Sequence, residues 1–113
     1  MARASGVLLD LQDFDDISAI VPLMAKVYPN GLADVNHFHA AGGMGYVVRE
    51  LLDAGLAHED VLTVAEGGMR AYADEPYLDG DALAFRPTPQ DSGDDAMLRP
   101  VASAFMPDGG MRL

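Results

Sequence analysis

Apolar positions along the chain alternate between short compact runs and stretches spaced at three and four. The run GVLLDL, Gly6–Leu11, predicts a strand. Behind it, Phe14, Ile17, Ile20 and Val21 fall at helical spacing after Asp13, which predicts a helix capped by Asp13 with acids in its first turn. PLMAKVYPNG, from Pro22, is a second short apolar segment, ended by the breaker Pro29-Asn30-Gly31. Val35, Phe38 and Ala41 stand three apart behind Asp34 and predict a short helix with Asp34 as its cap. Val48, Leu51, Leu52 and Gly55 lie at i, i+3, i+4 and i+7, so a second helix follows, with Gly55 just past its end and Arg49 placed to pair with Asp53 one turn on. Val61–Val64 is a β-branched run that predicts a strand, and GMRAYADE predicts a short helix before Pro76. This order predicts an α/β fold: a partial layer of short, partly parallel strands alternating with helices.

From Asp74 to Asp95 the pattern changes. Seven acids share this stretch with one base, Arg86, and with Pro76, Pro87 and Pro89, which predicts an acidic surface connection holding a short strand at Ala82–Phe85. Asp79-Gly80-Asp81 has the look of a calcium loop, but the twelfth position is Gln90 instead of glutamate and the glycine is misplaced, so a solvated turn is the reading. Apolar spacing resumes in LRPVASAFMPDGGMRL and stops at Leu113 without a cap or polar tail, as a cut end would.

Composition narrows the chemistry. The chain has no cysteine, which excludes disulfides, thiolate nucleophiles and thiolate-held zinc or iron–sulfur clusters within it. Its formal net charge of −11 argues against nucleic acid and anionic membrane as partners and disfavours anionic substrates bound by this chain alone. No run approaches the roughly 18 apolar residues of a membrane span, and a cytoplasmic location is the expectation.

Each of the three histidines reads as a hydrogen-bonded structural or surface residue sooner than as a ligand or base. His37 and His39 stand two apart, and on a helix such residues point about 200° away from each other, so joint chelation of one metal ion requires extended backbone there. His58 lies in a helix-to-strand connection. The glycines of GGMGYVV could expose backbone N–H groups to an anion, but they lack the third glycine of the dinucleotide fingerprint and follow a helix pattern instead of a strand. A structural corner is the better reading. The triplet GGM recurs at Gly42, Gly67 and Gly109 with unmatched flanks and unequal intervals, which is coincidence.

The run PLMAKVYPNGLADVNHFHAAGGMGYVVRELLDAGLAHEDVLTVAEGGMRAY, with LDLQDFDDIS before it and LRPV, FMP and GGMRL after it, closely resembles a central segment of the bacterial 6-phosphogluconate dehydratases, in the family that includes dihydroxy-acid dehydratase. The resemblance implies part of a lyase that removes water from 6-phosphogluconate to give 2-keto-3-deoxy-6-phosphogluconate in the Entner–Doudoroff route. It implies an iron–sulfur cluster in the full-length enzyme, acting as Lewis acid, with ligands absent from this chain and none expected in it alone. It divides the chain into residues 1–75, late in the N-terminal α/β domain, residues 76–97, the acidic connection, and residues 98–113, the start of a C-terminal β-rich domain, with Met111–Leu113 entering a strand. Asn36, His37 and His39 are carried over as contacts near the substrate pocket; no catalytic residue is carried over. Glu66 stands where relatives commonly have glycine, and His39 is often glutamine, which argues against an obligatory proton transfer by His39. The remaining dehydratase domains are the implied partners. A homodimer through the GYVVRELL helix or a strand edge is the expected assembly of the isolated chain, itself expected to be inactive. The alternative is a non-enzymatic interaction module retaining the fold segment.

Overall fold

A computed structural model describes residues 1–110; the expected strand entry at Met111–Leu113 lies outside them. Among the described residues three α-helices, α1 (Leu11–Ser18), α2 (Val35–Ala41) and α3 (Gly43–Asp53), combine with four strands, β1 (Pro22–Leu23), β2 (Asp74–Asp79), β3 (Ala82–Pro87) and β4 (Met106–Gly109). Turns of 3-10 helix cover Ala2–Ser5, Gly68–Ala73 and Val101–Ser103. Helix and sheet are mixed, as an α/β chain requires. The sheets are small and antiparallel: β1 pairs with β4, and β2 with β3. The one parallel pairing among the described residues is the isolated bridge Val27–Ala33.

Local chemistry explains the helices. Asp10 caps α1, its carboxylate accepting from Asp13 N–H at 3.0 Å while the Asp13 carboxylate accepts from Asp10 N–H at 2.8 Å. The expected cap, Asp13, is thus the third helical residue; two aspartates three apart satisfy each other's backbone, which moves the start earlier. Asp34 caps α2 as expected. At the end of α3, Leu56 N–H donates to Leu51 C=O and Gly55 N–H to Leu52 C=O, with Gly55 at φ +70°, which closes the last turn.

Two expected strands are absent. Residues 6–10 and 61–64 carry strand-like side chains but have no neighbouring strand to pair with. At the second of them Thr63 Oγ1 accepts from Ala65 N–H at 3.2 Å, a local turn bond that competes with extension. The helix expected at GMRAYADE forms as the 3-10 turn Gly68–Ala73.

The core is centred on Tyr46 and Leu98, both fully buried, with Met24, Ala41 and Met97 around them. Residues 97–110 reach it by pairing with residues 21–26: Lys26 N–H donates to Met97 C=O, Arg99 N–H to Met24 C=O, Phe105 N–H to Leu23 C=O and Gly110 N–H to Val21 C=O, all at 2.8 to 2.9 Å. This core is small for the chain. The accessible surface is 8210 Å², against roughly 6,000 Å² for a compact monomer of 12.0 kDa. The radius of gyration is 15.4 Å, against about 13 Å for a compact chain of this length. Much of the excess is apolar. Leu11, Phe14 and Ile17 of α1 remain 88%, 47% and 43% exposed, and before them Leu8 is 83% exposed with Val7 and Leu9 about half exposed.

Candidate functional site

The candidate site is the corner between α2 and α3 and the cleft beside it. Asp34 starts the corner, its carboxylate accepting from Asn36 N–H at 3.0 Å and His37 N–H at 3.1 Å. The His37 N–H is the main reason that the Asp34 carboxyl titrates below its ordinary value of 3.8. His37 Nδ1 lies 2.9 Å from the same carboxylate and 3.4 Å from Asp34 N–H. One nitrogen serves one of these at a time: protonated it donates to the carboxylate, unprotonated it accepts from the N–H.

Gly42 and Gly43 turn the chain from α2 directly into α3 with φ of +143° and +63°. A side chain is disfavoured by this backbone, and a Cβ on Gly42 would lie 2.9 Å from Tyr46 Cβ. Gly45 has a different reason: a Cβ there would meet Thr88 Cγ2 at 2.6 Å, so its absence lets the first turn of α3 lie against the exit of β3. Thr88 is buried, its hydroxyl donating to Ala73 C=O at 2.9 Å. Arg49 fastens this contact. Its Nη1 donates to Thr88 C=O and Oγ1 at 3.1 Å and to Pro89 C=O at 2.6 Å, and its Nη2 to Gln90 C=O at 3.1 Å. The expected Arg49–Asp53 pair does not form, because the fork of Arg49 matches the unpaired carbonyls that leave β3. Asp53 instead receives Arg70 Nη1 at 2.6 Å, and Arg70 also grips Glu59 at 2.9 and 3.0 Å. The Arg70 bonds hold the Glu59 carboxyl below its usual value.

Beside the corner opens a cleft of about 810 Å³. One wall is His39 with the glycine turn, and the other is Tyr72, Pro76 and Phe85, with Glu66 and Asp74 also in its lining. His37 lines a separate groove of about 500 Å³ with Lys26, Asp94 and Met97. The two histidines therefore face different spaces, as helical backbone demands. Asn36 lines neither and is exposed at the start of α2. His58 is exposed in the loop after α3. The second wall of the cleft was not anticipated, although Pro76 and Leu78 before Asp79-Gly80-Asp81, and Leu83 and Phe85 after it, alternate as one face of a hairpin.

The residues of this chain do not fit an iron–sulfur cluster: it has no cysteine. Among the described residues no three His, Asp or Glu side chains converge as a metal site. No helix among the described residues is long and apolar enough to cross a membrane.

Comparison with known proteins follows the same residues. A family model described as dihydroxy-acid/6-phosphogluconate dehydratase N-terminal matches residues 1–72. The chain is 50% identical over 113 residues to a phosphogluconate dehydratase of Pseudomonas aeruginosa and 50% identical over 114 residues to that of Zymomonas mobilis, in each case across 100% of the chain and 19% of the relative. It is 38% identical over 111 residues to a dihydroxy-acid dehydratase of Roseiflexus, across 98% of the chain and 18% of the relative. The chain thus spans about a fifth of the length of the curated relatives it matches.

Proposed function

The chain belongs to the dihydroxy-acid/6-phosphogluconate dehydratase family, and from that premise we propose that it works as a segment of a phosphogluconate dehydratase, the lyase that removes water from 6-phosphogluconate to give 2-keto-3-deoxy-6-phosphogluconate. One observation carries the choice of branch: identity is 50% to the phosphogluconate enzymes over the whole chain and 38% to the dihydroxy-acid enzyme.

The role proposed for this segment is substrate placement. His39 reaches a sugar-acid hydroxyl or carboxylate from the cleft, and Asn36 and His37 present polar groups from the exposed start of the same helix. The glycine turn holds that helix against α3, which keeps His39 at the cleft while His37 and Asn36 stand outside it. In the dehydration a proton leaves the carbon next to the carboxylate and hydroxide leaves the neighbouring carbon. The base and the Lewis acid for these steps, an iron–sulfur cluster in this reading, come from the rest of the enzyme. Boundaries at residues 75 and 97 are the division proposed for the parent enzyme; the family match ending at residue 72 and the hairpin starting at Asp74 support the first of them. A cytoplasmic metabolic enzyme is the accompanying reading.

A second reading has its own support. Tyr46 and Leu98 are fully buried by this chain's residues alone, as a non-enzymatic interaction module with its own core would have them. The DNA on both sides of the reading frame separates the two. In-frame continuation into cysteine-containing dehydratase sequence, and turnover of 6-phosphogluconate by the continuous product, are expected. Stop codons on both sides, or a folded continuous product without turnover, would overturn the enzyme reading.

A further inference from the structure

The cleft has one wall on His39 and the start of α3 and the other on the hairpin β2–β3, so its width depends on what ties the hairpin to α3. Among the described residues Arg49 supplies every side-chain hydrogen bond from α3 to residues 74–90. Its guanidinium lies over the ring of the fully buried Tyr46, 4.8 Å from the centroid, so the tie starts from the core. Its side chain is only 12% exposed, which leaves water little room to replace it at the carbonyls of Thr88, Pro89 and Gln90. Thr88 passes the hold on, since its hydroxyl donates to Ala73 C=O at 2.9 Å. Residues 73 and 88 flank the Asp74–Pro87 pair at the root of the hairpin, and Pro76 and Phe85 are paired two residues further out.

Arg49 stands behind the cleft wall, not in it. It lines a groove of about 490 Å³ with Thr88 and Gln90. Gly67, Ala71 and Asp74 line both this groove and the cleft, so they form the partition between the two spaces.

We propose that Arg49 is the positioning residue of the cleft: by holding the root of the hairpin on α3 it sets the gap between His39 and the Pro76–Phe85 wall, and through that gap the affinity for substrate. This deepens the reading of the segment as a substrate-placing part of a phosphogluconate dehydratase, and its kinetic consequence rests on that reading. Arg49 touches no reacting atom. Its loss weakens ground-state and transition-state binding alike, which raises KM and leaves kcat nearly unchanged.

Two measurements test it. The chain has no cysteine, so spin labels at Ala54→Cys and Leu83→Cys, both exposed positions, report the distance from the end of α3 to the hairpin without competing sites. Arg49→Ala should broaden the distance distribution. Arg49→Lys should broaden it less, because it keeps the charge and loses the fork. Millimolar guanidinium, entering by the groove, should narrow it again in Arg49→Ala, and sodium chloride at the same concentration should not. In the Pseudomonas aeruginosa enzyme carrying this chain in place of its matching segment, Arg49→Ala should raise KM for 6-phosphogluconate about tenfold with kcat within about threefold, and guanidinium should bring KM back toward the parent value. If Arg49→Ala loses its helical circular dichroism, Arg49→Lys carries the same two tests. An unchanged distance distribution would overturn the proposal, as would a broadened one beside an unchanged KM, or a fall in kcat at constant KM. A parent graft without turnover would overturn the enzyme reading instead, and the label distances would then decide whether Arg49 sets the gap.

Discussion

Tyr46 is fully buried at the centre of the core, and its hydroxyl has no hydrogen-bond partner among the described residues. Burial pushes this phenol up from its ordinary value, with the nearby Glu50 carboxylate adding to the effect. Tyr46→Phe removes an unsatisfied group and keeps the ring, so urea unfolding should show a variant equal to the parent or more stable by about 1 kcal/mol. Leu98→Ala at the same centre should cost about 2–5 kcal/mol, enough to unfold a chain with so small a core. Asp34 and Glu59 make acid the sensitive direction. Both carboxyls titrate lower in the folded chain than unfolded, so their contribution is fully present above about pH 5 and lost as pH falls through the folded values. Melting temperature should therefore drop on acidification below about pH 5, and Asp34→Asn with Glu59→Gln should flatten that drop. Asp34 was legible in the sequence because its cap partners lie within three residues. Arg49 was not, because its carbonyl partners lie 39 to 41 residues away and the local pattern offered Asp53 instead.

At the scale of elements, spacing identified α2 and α3 because their caps, Asp34 and Gly55, act on neighbouring backbone. Strands resist such reading, since a strand exists by its partner. Val61–Val64 has the side chains of a strand and no neighbour, whereas β1, two residues long, exists because residues 105–110 come back to pair with it. The hairpin was read as one strand in an acidic connection because Pro76 and the acids of β2 hid the alternation. The cleft depends on the closeness of α3 to this hairpin, which Gly45 sets. Gly45→Ala should drive a methyl into buried Thr88 and cost about 1–3 kcal/mol. Amide exchange should report faster opening at residues 73 and 88, with the end of α3 still protected. Equal protection in parent and variant would show that the corner yields without loss.

For the whole molecule, half of the residues are apolar, and large apolar side chains such as Leu8, Leu11, Leu62 and Val64 remain exposed. Mixed helix and sheet was legible from the alternation of patterns. The strand directions were not, because partners distant in sequence determine whether a strand runs parallel or antiparallel. The candidate residues Asn36, His37 and His39 were legible as polar positions on one short helix; that His37 and His39 face separate spaces followed from helical geometry, and the far wall of the cleft required the tertiary fold. The proposed function makes these 113 residues a working part of a phosphogluconate dehydratase. Its most direct test replaces the matching segment of the Pseudomonas aeruginosa enzyme with this chain and measures kcat/KM for 6-phosphogluconate. The expected result is a graft within about tenfold of the parent, with His39→Ala in that graft lowering kcat/KM by a further tenfold or so while His39→Gln stays near the graft's own value. A folded graft of correct assembly that does not dehydrate 6-phosphogluconate would contradict it.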